Sequence, residues 1–270
     1  MVYGDMHKDK KLLDVLCLED IGLKSDDVPK TVVCSPYGFD REFGKGVLQR
    51  TLKKNKFQIK KVINYFSQSG AKGTSFLAKR NRQNILFLIS GVGAVHASHI
   101  CILLGKCKPV KNVIFVGSAA VLSDEISQDD INIPFESVRA DRVAEEAIPL
   151  SFKALADKRL AKEFEPFILP ELAKINSKLH HGKNYTICVA YYETKKFLER
   201  LKKQNIYTIE LEASIFYTFL RKAKKRCIAI IRAGDKPLAG SYWGEKRRKK
   251  AKVKRAILNS IVNYLVSKTQ

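Results

Sequence analysis

The chain has 270 residues, of which 45% are hydrophobic and 29% are charged. This composition is that of a globular protein with one large or two small domains, and it excludes a mainly disordered or collagen-like chain. The sequence contains no apolar run of about 18 residues, the length that a membrane-spanning helix needs. Residues 1–15 lack the apolar segment of a secretory signal, so the sequence predicts a cytoplasmic protein.

The charge balance is unusual, because 50 Lys and Arg residues face 27 Asp and Glu residues and give a net charge of +23. Such an excess suits either an anionic partner or a solvated, lysine-rich surface. The densest basic stretch is KRRKKAKVKR, at residues 246–255. Because the basic residues are otherwise spread along the chain, a solvated surface is favoured, and neither nucleic acid nor a membrane is the favoured partner.

Short β-branched runs alternate with helical patterns after a polar N-terminal extension of residues 1–30, which holds one short helical pattern at 12–18. The patterns predict strands at 31–34, 84–89, 112–116, 130–133, 185–189, 207–211 and 227–231, and helices at 94–104, 212–221 and 253–266. Residues 148–183 are less regular and predict a helical excursion or a flap. The alternation predicts one domain over 31–270, a three-layer α/β/α sandwich around a mixed central sheet.

Two glycine-containing turns follow predicted strands, SGVG at 90–93 and GSAA at 117–120. Such turns let backbone N–H groups approach an anion or a ribose at the carboxyl edge of an open sheet, although each is also an ordinary tight turn. Neither turn matches the dinucleotide-binding or P-loop pattern. His96 and His99 lack a third ligand nearby, so no metal is predicted.

Three acidic residues stand at predicted strand ends. Glu210 and Glu212 share one side if their strand continues that far, and two buried acids need a ligand or hydrogen-bond donors to offset their burial. Asp235 follows an apolar strand and is suited to act as a general acid if burial raises its pKa. The alternatives are a solvated strand end for the two glutamates and an ordinary turn for Asp235.

Taken together, these segments resemble the nucleoside phosphorylase superfamily, which includes purine nucleoside phosphorylases, uridine phosphorylases and methylthioadenosine/S-adenosylhomocysteine nucleosidases. The resemblance rests on three blocks in the family's order. They are LISGVG at 88–93, VIFVGSAAVL at 113–122 with DINI at 130–133, and IELEA at 209–213 with IIRAGD at 230–235. The resemblance implies the family's fold and cleavage of an N-glycosidic bond.

The resemblance also implies roles for the three acidic residues. Glu212 matches the glutamate that holds the ribose hydroxyls, and Glu210 matches the acid two positions earlier. Leu211 replaces a methionine of the family in the floor of the ribose site, a substitution of similar volume. Asp235 matches the acid that protonates the purine N7, which implies a purine base.

Further residues carry over in the same way. Tyr192 matches an aromatic residue that stacks on the base, with Tyr191 as the neighbouring alternative. Ser90, Gly91 and Ser118 match positions that line the pocket of the attacking nucleophile.

The nucleophile pocket departs from both branches of the family. Phosphorylases carry an arginine where this chain has Phe115, and their phosphate loop is replaced by CSPYGFDR at 34–41, in which Arg41 is the available cation. Nucleosidases carry a water-activating glutamate after the first strand, and Glu42 is the nearest carboxylate here. Losing a bidentate arginine weakens phosphate binding, which favours water as the nucleophile.

The sequence therefore predicts a nucleosidase that hydrolyses a purine nucleoside of the adenosine or methylthioadenosine type, as part of purine salvage. No cofactor is expected. One alternative is a phosphorylase of the same superfamily, with phosphate as co-substrate. Another is a non-catalytic nucleoside- or nucleotide-binding protein whose basic surface binds a polyanion. The family resemblance implies a homo-oligomer, either a dimer or a hexamer.

Overall fold

The structure is a computed structural model that describes residues 23, 27, 29–63, 75–145, 147–241 and 250–269. Its strands are Thr31–Ser35 (β1), Gln58–Ile63 (β2), Ser75–Arg80 (β3), Gln83–Ile89 (β4), Asn112–Val121 (β5), Ile131–Asn132 (β6), Glu136–Arg139 (β7), Ala154–Leu155 (β8), Leu179–His180 (β9), Asn184–Thr186 (β10), Thr208–Glu210 (β11) and Arg226–Ala233 (β12). Its helices are Phe39–Phe43 (α1), Val47–Lys54 (α2), Ala94–Lys106 (α3), Lys158–Ala173 (α4), Lys195–Lys203 (α5), Ala213–Lys222 (α6) and Lys250–Lys268 (α7).

Four parallel strands, in the order β4-β1-β5-β12, form the centre of the sheet. The hairpin of β2 and β3 extends the sheet beyond β4 in antiparallel fashion. The far end of β5 pairs antiparallel with β11, and the sheet continues through β10 and β7. The carboxyl ends of the central strands therefore meet at one edge, where ligands bind in open α/β sheets.

Helices cover both faces of this sheet. One face packs against α1, α2, α4 and α7, and the other packs against α3 and α6. Burial on both faces explains why the central strands are continuous runs of Val, Ile and Leu rather than alternating patterns. The predicted three-layer sandwich around a mixed sheet is confirmed.

The structure differs from the sequence prediction in several elements. Strand β5 runs on to Val121, because its last two residues pair with β11, beyond residues 112–115 that pair with β1 and residues 112–119 that pair with β12. The irregular segment at 148–183 contains α4, which accommodates Pro166 and Pro170 inside the helix, and two short strands. The hairpin β2–β3 and the helices α2 and α5 had not been predicted.

Several predictions concern residues outside the described ranges. The helical pattern at 12–18 and residues 246–249 of the basic stretch lie there. The N-terminal extension and the domain boundary at residue 31 stay predictions, although Leu23 is buried and packs in the core that faces α3 and α6. Within the described part of the chain, no helix is long and apolar enough to cross a membrane.

Candidate active site

Glu210 is held by four hydrogen bonds at the corner where β11 ends and α6 begins. Its Oε1 accepts from Asn184 Nδ2 at 2.8 Å and from Thr186 Oγ1 at 2.5 Å, both on β10. Its Oε2 accepts from the backbone N–H groups of Glu212 at 2.7 Å and Ala213 at 2.8 Å. Both carboxylate oxygens therefore accept hydrogen bonds, and Glu210 links β10, β11 and the first turn of α6.

Glu212 lies in the same corner, two residues after Glu210. The alternation in the sequence allowed the strand to extend as far as Glu212, but it does not. The strand ends at Glu210, and Glu212 becomes the N-cap residue of α6. Its Oε1 accepts a hydrogen bond of 2.6 Å from the N–H of Gly93, which precedes α3. Gly93 has a φ of +89°, a backbone conformation that favours glycine.

The carboxyl groups of Glu210 and Glu212 are both buried, and they differ in protonation state. Burial raises the pKa of Glu210, whereas its four hydrogen bonds act in the opposite direction. Burial and the nearby Glu210 carboxylate raise the pKa of Glu212 to about 8. Backbone N–H groups at a helix N-terminus stabilise an anion, so we assign the negative charge at neutral pH to Glu210. Glu212 is then a neutral acid that can donate as well as accept a hydrogen bond.

Asp235 is half-buried just after β12, where the chain turns sharply. Its carbonyl oxygen accepts from the N–H of Val121 at 2.8 Å. Gly234 approaches β5 so closely that an added Cβ would lie 2.6 Å from the carbonyl oxygen of Ala119. A side chain at residue 234 would therefore push the turn away from the sheet, which explains the glycine before Asp235.

Glu193 is a site residue that the sequence analysis missed. Burial and the nearby Asp235 carboxylate raise the pKa of Glu193 to about 7. Packing brings the two acids together, because Leu198 of α5, Leu211 and Leu238 belong to one apolar cluster. Glu193 lies one turn before Leu198, in a segment without a recognisable pattern, so only the fold places it beside Asp235.

The two tyrosines predicted to stack on the base lie in a 3₁₀ turn just before Glu193. Tyr192 is 69% exposed and Tyr191 is 98% exposed. Tyr192 therefore lies at the rim of the site, and Tyr191 projects into solvent. Leu211 is half-buried in the glutamate corner and packs against the apolar cluster that includes Leu198.

The predicted nucleophile side contains Ser90, Gly91 and Ser118. Ser90 is buried, and its N–H donates to the carbonyl oxygen of Ser35 at 2.9 Å, so β4 and β1 end side by side. Ser118 is half-buried and pairs in register with Arg232 of β12. Phe115 is buried against Phe216, with ring centroids 4.5 Å apart. The residue at the family's arginine position is thus part of the apolar core.

A cluster of charged residues completes this side of the site. The guanidinium carbon of Arg41 lies 4.0 Å from the centroid of the Tyr37 ring. Burial and the carboxyl groups of Glu212 and Glu42 raise the pKa of Tyr37, whereas Arg41 lowers it. Tyr37 therefore lies within electrostatic range of both Glu212 and Glu42. Lys254 Nζ lies 3.8 Å from Glu42 Oε2 and donates to the carbonyl oxygen of Arg41 at 3.0 Å.

Two basic residues of this cluster, the buried Arg232 and the half-buried Lys254, had not been identified from the sequence. Arg232 is 5% exposed, and its Nη1 lies 3.4 Å from Asp129 Oδ1. Burial lowers the pKa of Lys254, and the neighbouring Arg232 lowers it further, while Glu42 raises it. For Arg232, the available sequence signal was an arginine inside the apolar strand β12. Lys254 had no such signal, because it lies in a stretch of basic residues.

Known proteins share both the sequence pattern and the architecture of this chain. The sequence model of the family described as "Phosphorylase superfamily" matches residues 46–263. No curated protein matches the chain significantly.

Similar solved structures include an AMP nucleosidase from Bacteroides thetaiotaomicron, with 13% identity, a TM-score of 0.67, and coverage of 96% of this chain and 97% of that one. A uridine phosphorylase from Vibrio fischeri has 18% identity and a TM-score of 0.69, and covers 93% and 96%. A purine nucleoside phosphorylase from Toxoplasma gondii, in complex with immucillin-H, has 16% identity and a TM-score of 0.69, and covers 92% and 95%. At these identities the likeness shows a common fold.

The substitution Glu210→Ala tests the glutamate corner. It leaves four buried donors without their acceptor, so we expect the free energy of unfolding to fall by about 3 kcal/mol or more. Glu212→Ala, which removes one hydrogen bond, should cost about 1 kcal/mol. Urea denaturation followed by circular dichroism measures both values. Equal losses for the two variants would show that Glu210 does not hold the corner.

The raised pKa of Glu212 predicts a stability that depends on pH. Between its unfolded pKa of about 4.3 and its folded pKa of about 8, the folded protein binds more protons than the unfolded chain. The free energy of unfolding should therefore fall as the pH rises from 5 to 8. Glu212→Gln cannot ionise and should make this fall shallower, and Glu193→Gln should remove a further part. Urea titrations at several pH values measure the slope, and parallel slopes in all three proteins would contradict the assignment.

Proposed function

Because the chain belongs to the phosphorylase superfamily, a group of nucleosidases and phosphorylases that cleave N-glycosidic bonds, we propose that it hydrolyses a purine nucleoside of the adenosine or methylthioadenosine type. In this proposal water attacks C1′ of the ribose as the purine leaves. The glutamate corner, Asp235 and the charged cluster around Glu42 supply the three functions that this reaction needs.

Each proposed role follows from the chemistry of bond cleavage. The ribose becomes an oxocarbenium-like cation, which the negative charge assigned to Glu210 stabilises electrostatically. Glu212 holds the ribose hydroxyls over Leu211, and Asp235 donates a proton to N7 so that a neutral purine leaves. Tyr192 covers the base from the rim of the site. Glu193, whose pKa is raised to about 7 by burial and by the nearby Asp235 carboxylate, can hold a proton near neutral pH and supply it to Asp235.

The observation that carries the choice of water is the state of Glu42. This side chain is 5% exposed, and its Oε1 has no hydrogen-bond partner among the described residues. Lys254 Nζ lies 3.8 Å from its Oε2. A buried carboxylate with a free acceptor oxygen can hold a water molecule and take its proton. We propose that Glu42 activates the attacking water.

Phosphorolysis is the second candidate, because basic side chains lie on the same side of the site as Glu42. Arg41, Lys254 and Arg232 could offset the charge of a phosphate ion in this pocket. The buried Glu42 carboxylate opposes a phosphate, and Phe115 provides no cation. These two features make water the preferred nucleophile.

Product analysis tests the proposed reaction. The protein is incubated with methylthioadenosine, adenosine, inosine or uridine, with and without phosphate, and base and sugar are separated by chromatography. We expect purine and the free sugar without phosphate, which is ribose from adenosine or inosine and methylthioribose from methylthioadenosine, and a loss of about 100-fold or more in kcat for Asp235→Asn. Release that requires phosphate would establish the phosphorylase instead. Nucleoside binding without release would indicate a non-catalytic protein, and release of uracil would contradict the purine assignment.

Glu42→Gln tests the water-activating group. The amide cannot accept a proton, so kcat should fall about 100-fold while KM changes little. Asp40→Asn is the matched control, since Asp40 lies on the same helix α1, is exposed, and retains as asparagine the Oδ1 that accepts from the Gly46 N–H at 2.8 Å. An unchanged kcat in Glu42→Gln would remove Glu42 from the mechanism.

A further inference from the structure

A basic and aromatic surface lies beside the base end of the site, on α5 and the turn that precedes it. We define this α5 face by Tyr191, Tyr192, Lys196, Arg200 and Lys203, all of which are exposed. The two tyrosine rings are 98% and 69% exposed. Large aromatic rings are seldom left so open to water, and neighbouring exposed rings mark a surface that binds a partner.

The basic residues of the α5 face lie on one side of the helix. Lys196, Arg200 and Lys203 are spaced by four and three residues, whereas Leu198 and Leu201 are buried on the opposite side. The three cations span about 10 Å along the helix. Within the described residues none of the three forms an ion pair, in contrast to Lys202, which lies 2.7 Å from Asp124.

An open groove of about 440 Å³ runs along this side of the helix. Its lining residues are Thr194, Lys196, Phe197, Glu199, Arg200 and Lys203. The guanidinium carbon of Arg200 lies 5.2 Å from the centroid of the Phe197 ring. The groove therefore offers aromatic surface and a net positive charge in the same place, with Glu199 as its one acidic lining residue.

We propose that the α5 face binds single-stranded nucleic acid. Unpaired bases stack on exposed aromatic rings while cations contact the phosphates, and this combination is typical of single-strand binding surfaces. Paired bases of a duplex cannot use Tyr191 in this way. An anionic membrane fits less well, because a helix that lies in a membrane inserts its apolar side, and here Leu198 and Leu201 are already buried in the protein.

The α5 face shares Tyr192 with the rim of the proposed nucleoside site, and its other residues lie outside that site. Glu193 lies between Tyr192 and Lys196 in the chain and faces Asp235, so a strand on the α5 face would pass the base end of the site. None of the three basic residues has a role in the proposed hydrolysis. The inference therefore does not depend on the proposed function, and the two can fail independently.

Fluorescence anisotropy with a labelled 12-nucleotide single strand tests the proposal on the full chain. The variant K196Q/R200Q/K203Q should bind at least tenfold more weakly than the wild type at 100 mM salt. In a plot of the logarithm of its binding constant against the logarithm of the salt concentration, the slope should be less steep by about 2. The reason is that about 0.7 counterions are released per phosphate contact, and the variant removes three such contacts. Tyr191→Ala should weaken binding about tenfold, and Tyr191→Phe should retain most of it, since stacking requires only the ring.

The control K106Q/K108Q/K111Q also removes three positive charges, but from exposed positions at the end of α3 and after it. It should change affinity less than threefold. Equal losses in both triple variants would show diffuse attraction by the net charge and overturn the proposal. Preferential binding to phosphatidylserine vesicles, or self-association that buries Tyr191 and excludes the strand, would also overturn it. Nucleoside cleavage is measured in parallel and should be unchanged in K196Q/R200Q/K203Q.

Discussion

The carboxylate of Glu210 is the constraint on which the site depends. It accepts from two side chains of β10 and from two backbone N–H groups at the start of α6, so it fixes the angle between the sheet and this helix. That angle determines where Glu212 lies and allows its carboxyl group to meet the N–H of Gly93 before α3. The negative charge on Glu210 keeps its neighbour neutral. A structural carboxylate thus sets both the position and the protonation of a proposed ligand-binding acid.

The site divides into two electrostatic halves. Glu193, Glu212 and Asp235 provide carboxyl groups around the proposed base and ribose positions, where a positive charge develops during bond cleavage. On the other side, Arg41 and Lys254 accompany Glu42, so that this carboxylate is partly compensated but retains an oxygen without a partner. Burying a carboxylate of this kind lowers the free energy of unfolding, and such a loss of stability is expected mainly where function requires it.

Among the described residues, basic side chains occupy two different places around the site. Arg232 is buried near Lys254, which pairs with Glu42, whereas the exposed side of α5 carries Lys196, Arg200 and Lys203. The first group belongs to the proposed nucleophile pocket. The second lies around an open groove next to exposed tyrosines, which distinguishes it from the solvated lysines elsewhere on the surface.

The sequence by itself determined the layer architecture, because the central strands are short apolar runs separated by helical patterns, and such local patterns are read without knowledge of contacts. It also identified Glu210, Glu212 and Asp235 as acids at the ends of strands. Only the tertiary structure decided how these acids differ. The Glu210 carboxylate accepts hydrogen bonds from Thr186 and Asn184 of β10, which lie 24 and 26 residues earlier in the chain. Glu212 accepts one from the N–H of Gly93, which lies 119 residues earlier. Glu193 and Lys254 join the site for the same reason: side chains distant in the chain become neighbours only when the packing of α5 and α7 against the sheet brings them together.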